Sequence, residues 1–439
     1  MAGRKTSILY RNQTKDVFLV DIPASISLAQ CLSPYQNAIH PSKRRKHSQA
    51  EPKPEPEPGH PRKCILSTPP TQTPYSTPSE PKTEKARAKV QERIPLPERV
   101  FHEDVIVPLV TEALAVIRQE WTGDWCLERC TVPDGIDYDC DREYGGDGDS
   151  NDDADGPPVI LSSTSENVFS SMRELRGVPV QNTSMESAVL VFCEEDSMAV
   201  PGQGKGRYLV PPLSTFLLST VLMHPTTKSE VIPGLPRSQK FNLILLDPPW
   251  PNRSAQRSGH YHTQSYTGID ALTRTITRIL RDHLVPDPGP GPCIAGIWVT
   301  NSYKARMAAY EAIQDAGLVV VEEWAWVKTA VTGETILPVT GVWRKPYEIL
   351  VIGFLPGSGS GSGSGDRDND RAIMRRVVAA VPDVHSRKPN LKQVFEEVFF
   401  AEGCPRGYSA LEVFARNLTA GWWGCGDEVL RFNSEEWWK

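Results

Sequence analysis

Four consecutive residues, Asp247-Pro-Pro-Trp250, bring together groups that could act on the exocyclic amine of an adenine base. The lone pair of that amine is delocalised into the ring, so acceptors must hold its two hydrogens before the nitrogen can attack a methyl donor. The Asp247 carboxylate and the Pro248 carbonyl can accept these hydrogens, and the paired prolines fix the backbone φ. Trp250 can stack on the base, and the carboxylate can stabilise positive charge that develops on the nitrogen. An ordinary proline turn capped by Asp is the alternative interpretation.

The loop that follows, residues 252–267, alternates basic groups with aromatic rings. Positive charge suits phosphates and aromatic rings suit unstacked bases, so this composition is typical of a site for a single-stranded nucleotide. An ordinary polar surface loop is the alternative. The side chains concerned are Asn252, Arg253, Arg257, His260, Tyr261, His262 and Tyr266. The segment Trp343–Tyr347 is expected to form the opposite wall of the same pocket.

The elements that position these residues alternate between strand-like and helical patterns. Phe241–Leu246 is a short apolar run of the type found in buried parallel strands, and it ends at Asp247. Strands alternating with helices predict an α/β domain with a mostly parallel sheet, which binds ligands at the carboxyl ends of its strands. The other predicted strands are Ile294–Thr300, Leu318–Val327, Tyr347–Phe354, Arg376–Val381, Ala410–Ala415 and Glu428–Phe432, and the predicted helices are Tyr303–Ala316 and Leu391–Phe400.

The composition divides the chain into four regions. Residues 1–40 are expected to be an ordered segment that docks on the core, and residues 41–98 a disordered, basic, Pro-rich linker. Residues 99–187 are expected to form a middle region with a helix over Val105–Trp121 and a disordered acidic insert at 134–155. Residues 188–439 are expected to form the catalytic domain, with a flexible Gly/Ser insert at 357–365.

Several classes of protein are excluded. The hydrophobic content of 39% is enough for a folded core, and no apolar run reaches the roughly 18 residues of a membrane span. Nine cysteines are too few for a disulfide scaffold. Cys126, Cys130 and Cys140 lack the spacing and the neighbouring His of a zinc site, so no metal is expected. The net charge of −6 does not exclude a nucleic-acid partner, because the local field at a groove governs binding.

The ordered set of motifs resembles the eukaryotic MT-A70 family of adenine methyltransferases, most closely its methyltransferase-like protein 4 branch. The resemblance covers roughly residues 188–432, with a weaker match at 8–31. It is carried by Asp247–Trp250, Trp298–Asn301, Trp326–Thr329, Arg344–Glu348, His385–Pro389 and Leu411–Asn417, and for the branch by Tyr208–Pro212 and Phe216–Ser219.

This resemblance implies a Rossmann-like fold that binds S-adenosylmethionine (SAM), with the motifs in permuted order and helices on both faces of the sheet. The implied catalytic residues are Asp247, Pro248, Pro249 and Trp250. The implied cofactor-binding residues are Asp247, Pro248, Lys388, Arg416, Asn417, Leu418, Asp427 and Glu428. The implied substrate-binding residues are Trp250, Asn252, Arg253, Arg257, Tyr261, Tyr266, Asn301, Lys328, Lys345, Tyr347 and Glu348. Asp427 departs from the family, which has Asn there; it keeps an acceptor but loses the amide donor.

The implied activity is SAM-dependent N6-methylation of adenine in nucleic acid, by direct in-line transfer. RNA is the leading substrate, in particular 2′-O-methyladenosine of U2 small nuclear RNA, which would give m6Am. The alternatives are a DNA N6-adenine methyltransferase, which would flip the base out of a duplex, and a catalytically silent RNA-binding subunit. The branch suggests a monomer without membrane association. Lys43–Lys46, if not merely a solvated basic cluster, together with the expected substrate, suggests the nucleus, with the cytoplasm as a further location.

Overall fold

The computed structural model describes residues 6–33, 64–76, 81, 83–131, 157–193, 206–223, 229–251, 268–286, 291–342, 344–356, 372–400 and 407–439. Several sequence-based predictions lie outside these ranges: the basic cluster Lys43–Lys46, the acidic insert 134–155, the loop 252–267, Trp343 and the Gly/Ser insert 357–365.

Short strands, most of them with buried aliphatic residues, recur throughout the described part of the chain. They are β1 (Ile8–Arg11), β2 (Val17–Val20), β3 (Leu66–Ser67), β4 (Cys130–Thr131), β5 (Val159–Ile160), β6 (Glu166–Phe169), β7 (Val180–Gln181), β8 (Ala188–Phe192), β9 (Gly206–Val210), β10 (Thr215–Leu217), β11 (Leu243–Leu246), β12 (Ile294–Val299), β13 (Val319–Lys328), β14 (Tyr347–Phe354), β15 (Met374–Ala380), β16 (Ala410–Val413) and β17 (Trp423–Cys425).

Helices and single helical turns connect these strands. They are α1 (Ile22–Ala29), α2 (Glu84–Gln91), α3 (Leu96–Val100), α4 (Val107–Glu120), α5 (Ile269–His283), α6 (Tyr303–Asp315) and α7 (Lys392–Phe395), with π turns at Phe101–Ile106 and Glu396–Phe400 and 3₁₀ turns at Met172–Leu175, Arg431–Asn433 and Glu435–Trp437. None of the helices in the described ranges is long and apolar enough to cross a membrane.

Twelve strands form one sheet in the order β1-β2-β15-β13-β14-β12-β11-β16-β17-β10-β7-β5. The pairs are mostly parallel, and the antiparallel ones are β1–β2, β13–β14, β12–β14 and β7–β10. The central strand β11 pairs in parallel with β12 and β16. The predicted α/β class with a mixed, mostly parallel sheet is therefore confirmed.

The two faces of β11 contact different helices. Ile244 and Leu246 belong to an apolar cluster that includes residues of α4, α5 and α6. Leu243 and Leu245 face the opposite cluster, which includes residues of α1 and α7. Because side chains alternate across a strand, an all-apolar strand is what a sheet covered on both faces requires. Helices therefore lie on both faces, and the carboxyl end of β11 is left as the open end.

Three sequence-based boundaries need correction. The linker predicted over 41–98 is wrong for residues 64–76 and 83–98, because Ile65 and Leu66 are buried and α2 forms. Of the segment at 1–40, the described residues 6–33 add β1 and β2 to the main sheet, since β2 pairs in parallel with β15. The strand predicted over Glu428–Phe432 is absent; Arg431–Asn433 is a 3₁₀ turn, and the Asn433 amide binds backbone groups of two other segments.

Candidate active site

Asp247 lies at the carboxyl end of β11, where the sequence predicts it. Its backbone N–H donates to the carbonyl of Val413 at the end of β16, 3.3 Å away. This bond continues the parallel ladder by one residue and fixes the direction in which the chain leaves the strand. The Asp247 carboxylate is thereby presented at the gap between two parallel strands, a common position for ligand-binding groups in α/β sheets.

A lysine joins two carboxylates at this position. The Nζ of Lys388 lies 2.8 and 3.0 Å from the two carboxylate oxygens of Asp247. The same nitrogen lies 3.2 Å from Glu348, whose other oxygen is 2.7 Å from the Nζ of Lys328. These charge-assisted bonds form a continuous chain of alternating charge. We call Asp247, Lys388, Glu348 and Lys328 the charged chain.

The pKa values follow from this alternation. Burial disfavours the charged form of Glu348, but the ammonium groups of Lys388 and Lys328 outweigh it and lower the pKa of Glu348 to about 2. Burial likewise opposes the charge of Lys388, yet Asp247 and Glu348 raise the pKa of that ammonium above its ordinary value. Lys388 and Glu348 are therefore both ionised near neutral pH.

Glu412, on β16, is a site residue that the sequence analysis missed. It is partly buried and lines the same cleft as Asp247 and Lys388. Burial first, and then the negative charge of Asp247, raise the pKa of Glu412 to about 8, although Lys388 acts in the opposite direction. The available signal was a carboxylate inside an otherwise apolar strand.

An open cleft lies beside Asp247 and Lys388. Two residues at its edge, Ser386 and Phe414, have φ values of +62°, a region that residues with side chains rarely adopt. Such conformations cluster at binding sites, where neighbouring contacts maintain them. Other residues that line the cleft are Trp298, Arg416, Asn417 and Trp422.

Arg387 anchors the turn that carries Lys388. Its guanidinium is almost fully buried and lies 2.8 Å from Asp383 and 2.9 Å from the carbonyl of Leu66. The rings of Phe432 and Trp437 contact the same guanidinium, with centroids at 4.2 and 4.6 Å. The position of Lys388 therefore depends on both the segment at 64–67 and the carboxyl-terminal turns.

Trp250 has a different environment from the one expected. Only 8% of its surface is exposed, and it packs in the apolar core. Its indole Nε1–H donates to the carbonyl of Trp298, 2.7 Å away. This burial contradicts the expectation that Trp250 stacks on a base; the residue instead ties the turn after β11 to β12. The Pro248 carbonyl accepts from the Trp250 backbone N–H at 2.8 Å and keeps a second lone pair for a ligand.

The residues expected to bind the cofactor divide into two groups. Lys388, Arg416 and Asn417 line the cleft with Asp247, and the Asn417 side-chain N–H groups are buried without a partner among the described residues. Leu418 does not line the cleft, since its side chain is buried in another apolar cluster. Its backbone N–H donates to the side-chain oxygen of Asn433, 2.6 Å away.

Asp427 and Glu428 lie in the turn after β17. Asp427 accepts from the Thr220 hydroxyl at 2.6 Å and lies 3.5 Å from Arg176. Glu428 binds Arg416 at 2.6 Å. Since Arg416 lines the cleft, Glu428 is linked to it directly, whereas Asp427 is held by residues outside the cleft lining.

The expected substrate residues are also divided. Lys328 and Glu348 belong to the charged chain. Tyr347 is buried, and its carbonyl accepts from the side-chain amide of Asn301. Lys345 donates to the carbonyl of Gly341 at 2.7 Å. Apart from Trp250, the remaining expected substrate residues belong to the loop that lies outside the described residues. They are Asn252, Arg253, Arg257, Tyr261 and Tyr266.

The cleft residues fit SAM by their chemistry. The Asp247 carboxylate suits the cationic amino group and the sulfonium of SAM, and the Lys388 ammonium suits the carboxylate of the SAM methionine moiety. The unpartnered Asn417 amide is a free donor, and aromatic residues such as Trp298 offer an apolar surface for a heterocycle. No group of three or more His, Cys, Asp or Glu residues that could hold a metal occurs among the described residues.

Comparison with known proteins agrees with this arrangement. The MT-A70 family model matches residues 241–428, which include Asp247, Glu348, Lys388 and Glu412. A Cryphonectria parasitica protein named N6-methyladenosine RNA methyltransferase MTA1 is 30% identical over 436 residues, 98% of this chain and 94% of that protein. A Pyricularia oryzae protein of the same name is 32% identical over 382 residues, 85% of this chain and 82% of that protein.

A third relative shares only part of the chain. The Mus musculus N(6)-adenine-specific methyltransferase METTL4 is 33% identical over 229 residues, which is 52% of this chain and 44% of that protein. The similarity to the two fungal proteins therefore extends well beyond the part shared with the mouse protein.

Proposed function

The chain belongs to the MT-A70 family of SAM-dependent N6-adenine methyltransferases that act on nucleic acid, and from that premise we propose that its substrate is adenosine in RNA. The observation that carries the proposal is the Asp247 carboxylate at the carboxyl end of β11, both of whose oxygens accept from the Nζ of Lys388. Two relatives that match 98% and 85% of this chain are named RNA methyltransferases, which favours RNA over DNA.

The protein groups have the following roles in this proposal. Bound SAM supplies an electrophilic methyl group. One oxygen of Asp247 and the free lone pair of the Pro248 carbonyl accept hydrogen bonds from the two N–H groups of the adenine amine. These bonds localise the lone pair of the amine nitrogen. Lys388 orients the Asp247 carboxylate, which also stabilises the positive charge that develops on the nitrogen. Glu348 and Lys328 hold Lys388 in place, and fixed geometry lowers the entropic cost of reaction.

The finer hypothesis concerns the nucleotide. We infer that the preferred target is 2′-O-methyladenosine in U2 small nuclear RNA, giving m6Am; its support is the resemblance of the Tyr208–Pro212 and Phe216–Ser219 segments to the METTL4 branch. We also infer a monomer that works in the nucleus, on the branch resemblance and on Lys43–Lys46. Sedimentation velocity and cell fractionation test these two inferences, and a stable dimer or an exclusively cytoplasmic protein would contradict them.

The experiment is methyl transfer from labelled SAM to three short oligonucleotides. They carry adenosine in RNA, 2′-O-methyladenosine in RNA, and deoxyadenosine in DNA. We expect transfer to RNA, fastest to the 2′-O-methylated one, and loss of at least a hundredfold in Asp247→Ala. Glu311→Gln, an exposed carboxylate on α6, is the control and should match the wild type.

Other outcomes separate the alternatives. Preference for deoxyadenosine would assign the enzyme to DNA. Preference for unmodified adenosine would keep the RNA assignment and overturn the m6Am hypothesis. No transfer to any oligonucleotide, with SAM binding intact, would indicate a catalytically silent subunit.

A further inference from the structure

A buried histidine outside the family-matched region contacts Tyr347, the residue before Glu348 of the charged chain. His102 lies in the π turn Phe101–Ile106, between α3 and α4. Its Nδ1 lies 2.7 Å from the hydroxyl oxygen of Tyr347, and the two rings stack with centroids 5.8 Å apart and planes at 19°. Only 6% of His102 and 3% of Tyr347 are exposed. Inside the protein, the Tyr347 hydroxyl therefore depends on His102 for this hydrogen bond.

The π turn and α3 each make a further contact, both with α6. The Phe101 ring lies 3.2 Å from the guanidinium carbon of Arg306, on α6. Glu98, in α3, accepts from the backbone N–H of Tyr303 at 3.2 Å. Isolated π turns inside helices are uncommon and occur frequently at functional sites. We call residues 96–106 the helical arm; it holds both the start of α6, which follows β12, and the start of β14.

Tyr347 leads directly into the charged chain. Its carbonyl accepts from Asn301, which follows β12, and the next residue is Glu348. Glu348 holds both lysines of the charged chain, and Lys388 holds Asp247. A shift of Tyr347 would move the Glu348 backbone, because the two residues are adjacent in β14. His102 is thus connected to Asp247 through consecutive contacts.

We propose that His102 is a positioning residue: through Tyr347 it fixes Glu348, and so the charged chain, for methyl transfer. The helical arm is therefore part of the working active site, although the matched methyltransferase domain begins at residue 241. This inference rests on the proposed function for its kinetic readout.

The contact does not depend on ionisation near neutral pH. Burial first, and then the nearby Lys345 ammonium, lower the pKa of His102 to about 4. The imidazole is thus neutral in any ordinary assay buffer. A variant at position 102 should change the height of the pH–rate profile between pH 6 and 9 and leave its shape unchanged, unlike loss of a proton-transferring residue.

The test compares His102→Ala with His102→Asn, whose side-chain amide can replace the Nδ1 contact. We expect kcat to fall at least tenfold in His102→Ala, with the SAM Kd within twofold of wild type, and to recover to within threefold in His102→Asn. His283→Asn is the matched control. His283 is also buried, but it lies at the end of α5 and contacts the Gln239 carbonyl at 3.1 Å, so kcat should change less than twofold.

Two further measurements keep the inference testable if His102→Ala folds poorly. In Tyr347→Phe, which removes only the hydroxyl, adding His102→Asn should cost no additional activity. Hydrogen–deuterium exchange should increase over residues 344–349 in Tyr347→Phe, which loses the same hydrogen bond, and not in His283→Asn, and this readout does not require activity. Wild-type kcat in His102→Ala, or unchanged exchange at 344–349, would overturn the inference. An inactive wild type would instead contradict the proposed function.

Discussion

Replacing Glu412 by Gln should stabilise the protein increasingly as the pH rises. In the folded protein, burial and the charge of Asp247 raise the pKa of Glu412 to about 8, whereas its ordinary value is 4.5. Between these values the folded state keeps a proton that the unfolded chain releases. The free energy of unfolding therefore falls with pH across this window. Gln, which resembles the protonated acid, removes that dependence.

The magnitude follows from the width of the window. One pH unit inside it corresponds to about 1.4 kcal/mol. The variant and the wild type should be similar below pH 4.5. The variant should be more stable by about 3 kcal/mol at pH 7 and, once the pH exceeds the folded pKa, by about 5 kcal/mol.

Denaturant unfolding followed by tryptophan fluorescence, at pH 5, 7 and 8.5, measures this difference. The control is Glu311→Gln on α6, whose carboxylate is exposed and should give no pH-dependent difference. A stability difference for Glu412→Gln that is constant across the three pH values would contradict the raised pKa of Glu412, because it would mean that Glu412 is ionised in both the folded and the unfolded state.

Three further predictions concern the surroundings of the cleft. Because two ammonium groups lower the pKa of Glu348 to about 2, Glu348→Gln should lower the free energy of unfolding by up to about 3 kcal/mol at pH 7. Urea unfolding should show this difference vanishing as the pH falls toward 2. Arg387→Ala removes the cation nearest to the buried Asp383 carboxylate, which keeps only the more distant Arg129 guanidinium at 3.9 Å, so the free energy of unfolding should fall by about 3 kcal/mol; an unchanged Tm would contradict this role. Trp250→Phe removes the bond to Trp298 and puts a smaller ring in the core, so kcat should fall while KM for RNA stays constant; a raised KM would instead indicate stacking on the base.

The central part of the site was predictable because its signals are local. The apolar run of β11 and the residue that follows it are adjacent in sequence, so the strand and the position of Asp247 follow from pattern alone. The order of alternating strands and helices likewise predicts the mixed sheet. These features do not depend on which distant segments meet.

The contacts within the site were not predictable in the same way. Lys388 is 141 positions from Asp247, and His102 is 245 positions from Tyr347, so no local pattern links them. Trp250 could either stack on a ligand or pack in the core, and its residue type fits both.

Composition did not predict that residues 64–76 are folded, because the neighbouring prolines are typical of a linker. Ile65 and Leu66 become buried beside β4 and the carboxyl terminus, and that burial offsets the entropy lost on ordering. This gain depends on segments far away in the sequence, so composition could not reveal it.

The most direct test of the account identifies the atom that receives the methyl group. RNA incubated with SAM and the enzyme is digested to nucleosides, and the products are separated by chromatography and identified by mass spectrometry. We expect methyl on N6 of adenosine with the wild type, and no N6 product with Asp247→Asn, which keeps the shape of the side chain and removes its charge. Methyl on N1 or on a ribose oxygen, or an N6 product undiminished in Asp247→Asn, would contradict it.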